Sequence, residues 1–275
     1  MGISAKEVQE LRKISGAGMM ECKTALSEAN GNIDNAFKLL REKGIAKAEK
    51  KSSRAANEGL IGVQIKDNHA SIVEINSETD FVSRNSEFQK LVSDVLSLSM
   101  NNIGAEDKTI SDAPKLINEA VAKIGENIVL KRVATMKGNL FSYMHNSIID
   151  NMGKIGVLLS LECKNSDIDE IGKNLCMHIA ASSPKSISNE DLDRSIVENE
   201  REIIKQQLKD SGKPENIVEK MMEGKMKKFY EENTLLGQKF VMDPSITIQQ
   251  YISQCSKELG SDISVKEYLR FELGN

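Results

Sequence analysis

The spacing of apolar residues changes character at residue 57. Before it they recur every three to four positions; after it they alternate, in "GLIGVQI" (59–65) and "HASIVEI" (69–75). A helix repeats every 3.6 residues and a strand every 2, so this switch marks a helical head followed by sheet. The tripeptide "KDN" (66–68) between the two runs is turn-like, which predicts a β-hairpin. The run "HASIVEIN" alternates like a strand that hides one face. The chain therefore belongs in the α+β class.

The head, residues 1–45, reads as three short helices. Ser4 and Glu7 form a capping-box pattern before Val8 and Leu11. "SGAG" (15–18) breaks the chain. Met19, Met20, Cys22, Ala25, Leu26 and Ala29 make a second stripe, stopped by Asn30-Gly31. Ile33, Ala36, Phe37 and Leu40 make a third, with Gly44 expected to end it. So few large residues predict a small bundle of limited stability. The segment 46–56, with Lys47, Lys50, Lys51 and Arg54, reads as a basic linker or a solvated helix. It has no aromatic residue to stack on a base, which weighs against RNA.

After the hairpin, "SEFQKLVSDVLSLSM" is a helix with Phe88, Leu91, Val92, Val95 and Leu96 inward. "SDAPKLINEAVAKIGEN" is a second helix ending near Gly125, and "IVLKRVATM" a third strand. A weak repeat follows: a hairpin from "GNLFSYMH" and "KIGVLLSLE", a helix "DIDEIGKNLCMHIAAS", and a late strand "SVKEYLRFEL". Both third strands carry an Arg and lead to Gly-Asn. This gives two related subdomains, 57–137 and 138–186 with 236–275. The insertion 187–235 reads as an antiparallel helical hairpin turning at "SGKP" (211–214). In it Ile196, Ile203 and Ile204 face Val218, Met222 and Phe229.

The 275 residues suggest roughly two or three domains of about 100–150 residues each. With aromatics at 4% and no Trp, the cores must rely on Leu, Ile, Val and Met. A net charge of −4 gives no general reason to expect nucleic acid. Four scattered cysteines without CxxC spacing argue against zinc and against a disulfide scaffold, and fit a reducing cytosol. The start "MGISAKEVQELRK" lacks a long apolar stretch, so no secretory signal is expected. Lys6 stands where a myristoylation signal wants Ser or Thr. No run of about 18 apolar residues is present, so no membrane span is expected.

No P-loop, GxGxxG or HExxH occurs. Cys176 and His178 are two apart on a helix and do not share a face. Glu74, Glu78 and Asp80 cluster near one strand end without a partner set for acid–base work. No catalytic residue, metal or cofactor is expected; the reading is a binding protein. One stretch stands out. In "EINSETDFVSRN" (74–85), Phe81 follows a carboxylate where a strand ends. It is either a core plug or an exposed wedge, and the residues alone leave both readings open.

Three stretches, "LRKISGAGMMECKTALSEANGNIDNAF", "TDFV" (79–82) and "AKIGENIVLKRV", together resemble bacterial translation elongation factor Ts. So do "MHIAASSP", "SGKPENIVEKMMEGKMKKFYEE" and "YLRFELGN". The resemblance spans essentially the full length, in order. It implies a guanine-nucleotide exchange factor for elongation factor Tu in the cytoplasm. It implies no nucleotide binding of its own, a ubiquitin-associated-like (UBA-like) head, and an inserted coiled-coil hairpin. That hairpin is a candidate for homodimerisation, for contact with the GTPase, or for neither.

By the same resemblance, Thr79, Asp80, Phe81 and Val82 form the exchange wedge. There the Phe enters between helices of the GTPase's nucleotide domain and displaces the helix that organises its Mg²⁺ site. Ile124 and Gly125 match a supporting contact; Gly125 also reads as a plain helix cap. His145 matches a contact to another domain of the GTPase, with buried packing as the alternative. Arg12, Met19 and Met20 match the family's N-terminal face that packs on the nucleotide domain, with one of the two Met residues as core the alternative. Tyr268 and Phe271 should lie close to that region. The sequence departs from the family at "NSIIDNMGKIG", a longer connection after His145, and at Ser77-Glu78, where a Cys or Gln is often found. The alternatives are a scaffold for a ubiquitin-like or RNA partner and, among enzymes, a metal-dependent hydrolase.

Overall fold

In a computed structural model describing residues 3–209 and 214–274, the helical head comes first. The side chains of 45–47, 49 and 209 are outside that description, which removes Lys47 from consideration, and so are 211–213 of the "SGKP" turn. Helices α1 (Ala5–Ser15), α2 (Met19–Glu28) and α3 (Ile33–Lys51) pack around Val8, Leu11, Cys22, Ala25, Leu26 and Ala36. The capping box forms: the Glu7 N–H donates to Ser4 Oγ at 3.2 Å, and the Ser4 N–H to Glu7 Oε2 at 2.7 Å.

Gly44 does not end the third helix, which continues to Lys51. A boundary at residue 45 therefore falls inside α3. The reason is packing. A Cβ on Gly44 would lie 3.1 Å from the Cβ of Ala122, so the glycine marks a close approach between two helices, and tertiary contact overrides its tendency to stop one.

Strands β1 (Glu58–Lys66) and β2 (His69–Ser77) form the expected antiparallel hairpin, with Glu58 opposite Ser77 and Lys66 opposite His69. A single 3₁₀ turn (Asp80–Arg84) leads into α4 (Ser86–Asn101). Then come α5 (Glu106–Ile124) and β3 (Ile128–Lys137). All five predicted inward residues of α4 are buried in one cluster with Leu60, Val73, Ile75 and Val82.

The alternation in β2 does not mean one wet face: Ala70 to Ser77 are all buried. Its polar residues find partners instead. The Ser71 hydroxyl donates to Ser99 Oγ at 2.7 Å, and Arg132 Nε donates to Glu74 at 2.6 Å.

The second half holds β4 (Asn139–His145), β5 (Met152–Gly153), β6 (Ile155–Glu162) and α6 (Asp169–Ser182). It continues with α7 (Arg194–Lys209), α8 (Glu215–Asn233), β7 (Lys239–Phe240), β8 (Asp243–Thr247), α9 (Ile248–Leu259) and β9 (Ser264–Glu272). The sheets run β3-β2-β1-β5, β4-β6-β9 and β7-β8. β5 lies in the long connection after His145 and pairs with β1 of the first sheet. The result is a mixed α/β chain with antiparallel pairing and nine α-helices among the described residues.

Two compact units result. One contains Met1–Met136, Asn146–Gly156 and Phe271–Asn275; the other contains Lys137–His145 and Val157–Arg270. In the second, α7 and α8 pack through Ile204, Leu208 and Met226, with Val218, Met222 and Phe229 against them. Ile203 points outward, half exposed, contrary to the helix-face expectation. Helix α9 was not visible in the apolar spacing, although Thr247 and Gln250 form a capping box at its start.

Candidate functional site

Phe81 is 81% exposed, far more than a core plug allows. Its neighbour Val82 is buried in the first unit's core, so the chain anchors one apolar side chain and presents the next. The turn carrying them is tied internally. The Ser83 hydroxyl donates to the Asp80 carbonyl at 2.6 Å, and Gln89 Nε2 donates to the Ser83 carbonyl at 3.0 Å. Asn85 Oδ1 accepts the Glu87 N–H at 2.8 Å, which starts α4.

A second loop braces this turn from outside. Helix α5 ends at Gly125, whose φ of +86° is a left-handed cap that suits glycine, and its N–H donates to the Val121 carbonyl at 2.9 Å. The next residues then face the wedge segment. Thr79 donates its N–H to Glu126 at 3.0 Å and its hydroxyl to the other carboxylate oxygen at 2.7 Å. The Asn127 N–H donates to Glu78 at 2.7 Å, and Asn127 Nδ2 to the Arg54 carbonyl at 2.7 Å. That Asn127 bond, helped by Arg54 at 3.3 Å, holds Glu78's carboxyl below its ordinary range. Lys51 Nζ donates to the Gly125 carbonyl.

The expected residues fall into separate groups. Thr79–Val82 and Ile124–Gly125 are brought together by these bonds; Ile124 itself is half-buried against the core, and Gly125 is the cap of α5. Arg12, Met19 and Met20 are exposed, Met20 at 71%, so neither Met is core. Their turn also lies beside the end of α5. A Cβ on Gly16 would meet the Lys123 side chain, and Lys123 Nζ reaches Glu87 at 3.2 Å on α4.

His145 is exposed, its Nδ1 3.3 Å from the Tyr143 hydroxyl, which excludes buried packing in this chain. The Tyr268 hydroxyl donates to the Pro184 carbonyl at 2.7 Å, and burial pushes its pKa up to about 12. Phe271 is 7% exposed beneath Arg132, whose guanidinium carbon lies 4.2 Å from the ring centre. In the free chain Phe271 therefore packs inside the first unit.

Spacing did not single out Glu126 and Asn127, and gave Arg54 only as part of a basic linker. Their partners sit far away in the chain, and only the "GEN" after a helical run hints at a capped turn.

The other candidate chemistry has structural accounts. Glu74 is fully buried and accepts from Arg132, whose Nη2 donates to the Glu272 carbonyl at 3.0 Å. His178 accepts the Val241 N–H at Nδ1 (3.3 Å) and donates from Nε2 to Gln238 Oε1 (3.0 Å). Burial lowers its pKa and raises that of Cys176. Among the described residues no group of three or more His, Cys, Asp or Glu could hold a metal ion. No helix among them is long and apolar enough to cross a membrane.

Comparison with known proteins adds the lineage. The family model described as "Elongation factor TS" matches residues 78–275. The elongation factor Ts of Bartonella tribocorum is 45% identical over 287 residues, covering 100% of this chain and 94% of that protein. Those of Mesorhizobium japonicum and Paracoccus denitrificans are 44% identical over 289 residues and 45% over 283, each covering the whole chain and 94% and 93% of the relative.

Proposed function

The chain belongs to the elongation factor Ts family, and from that premise we propose that it is a cytoplasmic guanine-nucleotide exchange factor for elongation factor Tu. It makes and breaks no covalent bond. The observation that carries the reading is Phe81, exposed on a turn whose two ends are fixed by Val82 in the core and Thr79 on Glu126.

An exchange factor binds the nucleotide-free partner better than the nucleotide-bound one, and linkage makes each ligand weaken the other by the same factor. Burying the Phe81 ring in the GTPase's nucleotide domain contributes roughly 2–3 kcal/mol, on the order of 30–150-fold of that coupling. Loosening of the Mg²⁺ and phosphate contacts supplies the remainder of a larger acceleration. Exposed Arg12, Met19 and Met20 act as a second anchor on the same domain, and His145 contacts a different one.

In this reading the three-helix head is UBA-like and the α7–α8 pair is an inserted coiled-coil hairpin. The hairpin's half-exposed Ile203 and Ile217 are available to a second copy. Direct binding of nucleotide or nucleic acid forms no part of the function.

The test is release of a fluorescent GDP analogue from elongation factor Tu with and without this protein. Acceleration that saturates with protein concentration is expected; an unchanged release rate would sink the proposal.

A further inference from the structure

The ring of Phe81 is 81% exposed, so packing does little to fix its direction and the backbone of 79–83 must do most of it. That backbone is held in three ways. Val82 is in the core, the Ser83 hydroxyl closes on the Asp80 carbonyl, and Thr79 is gripped on the other flank by Glu126. The grip is two-handed: a single carboxylate accepts both the N–H and the hydroxyl of Thr79, at 3.0 and 2.7 Å. It leaves both carboxylate oxygens facing the residue just before Asp80 and Phe81. Its own position is fixed by the left-handed cap at Gly125 and by Asn127, whose N–H and side chain hold Glu78 and the Arg54 carbonyl.

We propose that Glu126 is a positioning residue for the Asp80–Phe81 element, acting through Thr79, and so sets the efficiency of exchange without itself being the wedge. This rests on the exchange reading above. Glu126 orients the ring before the partner arrives. Removing it leaves the ring present but free to swing with its turn, so ordering must happen on binding. The loss therefore falls on the maximal acceleration more than on the concentration needed to reach half of it, because other surfaces hold the complex.

The experiment measures fluorescent-GDP release from elongation factor Tu over a range of concentrations of the full chain. The variants are Glu126→Ala, Glu126→Gln, Thr79→Val, Phe81→Ala and the Glu126→Ala/Phe81→Ala pair. Charge-assisted hydrogen bonds of this kind are worth about a decade, so Glu126→Ala lowers the saturating rate about tenfold. Its half-saturating concentration stays within about twofold. Glu126→Gln restores most of the loss, since its carbonyl can take the Thr79 N–H while its amide donates to the hydroxyl. Thr79→Val, which keeps the backbone bond, falls between. In the Phe81→Ala background Glu126→Ala costs much less than in the wild type, because the ring is gone and only Asp80 is left to aim.

Wild-type rates for Glu126→Ala, or losses that multiply with that of Phe81→Ala, overturn the proposal while leaving the exchange function intact. Amide hydrogen exchange on the free chain gives a separate reading. Positioning requires that amides 79–83 lose protection in Glu126→Ala while β1 and β2 keep theirs; unchanged protection at 79–83 overturns it. If wild-type protein fails to speed GDP release, the exchange function falls, and the amide result alone decides whether Glu126 holds the turn.

Discussion

Two connections in this chain stand at the same topological point and treat an apolar residue in opposite ways. After β2, the segment 78–85 leads into α4 and holds Phe81 at 81% exposure. After β6, the segment 163–168 leads into α6 and holds Ile168 at 1%. One strand-to-helix connection plugs its core; the other hands that task to Val82 and turns its largest side chain outward. An apolar residue in such a connection is therefore not informative by type. What decides is whether a neighbour already fills the core and whether the backbone is braced. The third strands differ in parallel: Arg132 of β3 pairs with the fully buried Glu74, whereas Arg270 of β9 donates to the Ala180 carbonyl at the end of α6.

The largest effect should come from the third strands. Arg132→Met leaves the Glu74 carboxylate buried without its partner and should cost about 3–5 kcal/mol of stability, whereas Arg270→Met loses hydrogen bonds worth about 1 kcal/mol. Denaturant melts of both variants check this, and equal losses would erase the contrast.

Next is the connection pair. Ile168→Ala should lose about 2–4 kcal/mol by emptying core volume. Phe81→Ala should shift stability by less than about 0.5 kcal/mol, as for an ordinary surface change. It should instead slow exchange by no more than roughly 30–150-fold. If Phe81→Ala melts early with exchange intact, the two connections are both plugs.

A third comparison is truncation. Cutting at residue 45 severs α3 within the helix and bares the surface of α5 that it covers, so it should destabilise the first unit as well as remove the anchor. Point changes at Met19 and Met20, which are exposed, should weaken binding of the GTPase while leaving the melting temperature near wild type. A large melting shift in a Met20→Ser variant would show that the head's outer face is structural.

The smallest effect is one of pH and belongs to the second unit. Folded His178 resists protonation because it is buried, and its Nδ1 must stay free of a proton to accept the Val241 N–H. The unfolded chain takes up that proton near the ordinary value of 6.5, so it binds more protons as pH falls below that value. Stability of the second unit is thus full above about pH 6.5 and declines below it. Hydrogen exchange of α6 and β7 at pH 7 and pH 5 reads this, and His178→Gln should flatten the profile.

Legibility in the sequence followed locality. The period change at 57, the Ser4–Glu7 box, the "SGAG" break and the inward face of α4 depend on neighbours within a turn or two, and the structure repeats them. The same local rules misread Gly44, whose Cβ-free face admits Ala122, and they are silent on the polar positions of β2, which are buried on Ser99 and Arg132. Nothing local to Phe271 says that Arg132 lies over its ring.

The sequence by itself determined where the longer helices and strands before residue 187 begin, which residues are available to a core, and which lineage the chain belongs to. Those follow from spacing, caps and motif order. Only the tertiary structure decided that Phe81 stands outside while Val82 lies inside, and that Glu126 and Thr79, distant in the chain, share two hydrogen bonds. The physical reason is that exposure and pairing depend on what other segments already occupy, and that is fixed when the segments meet.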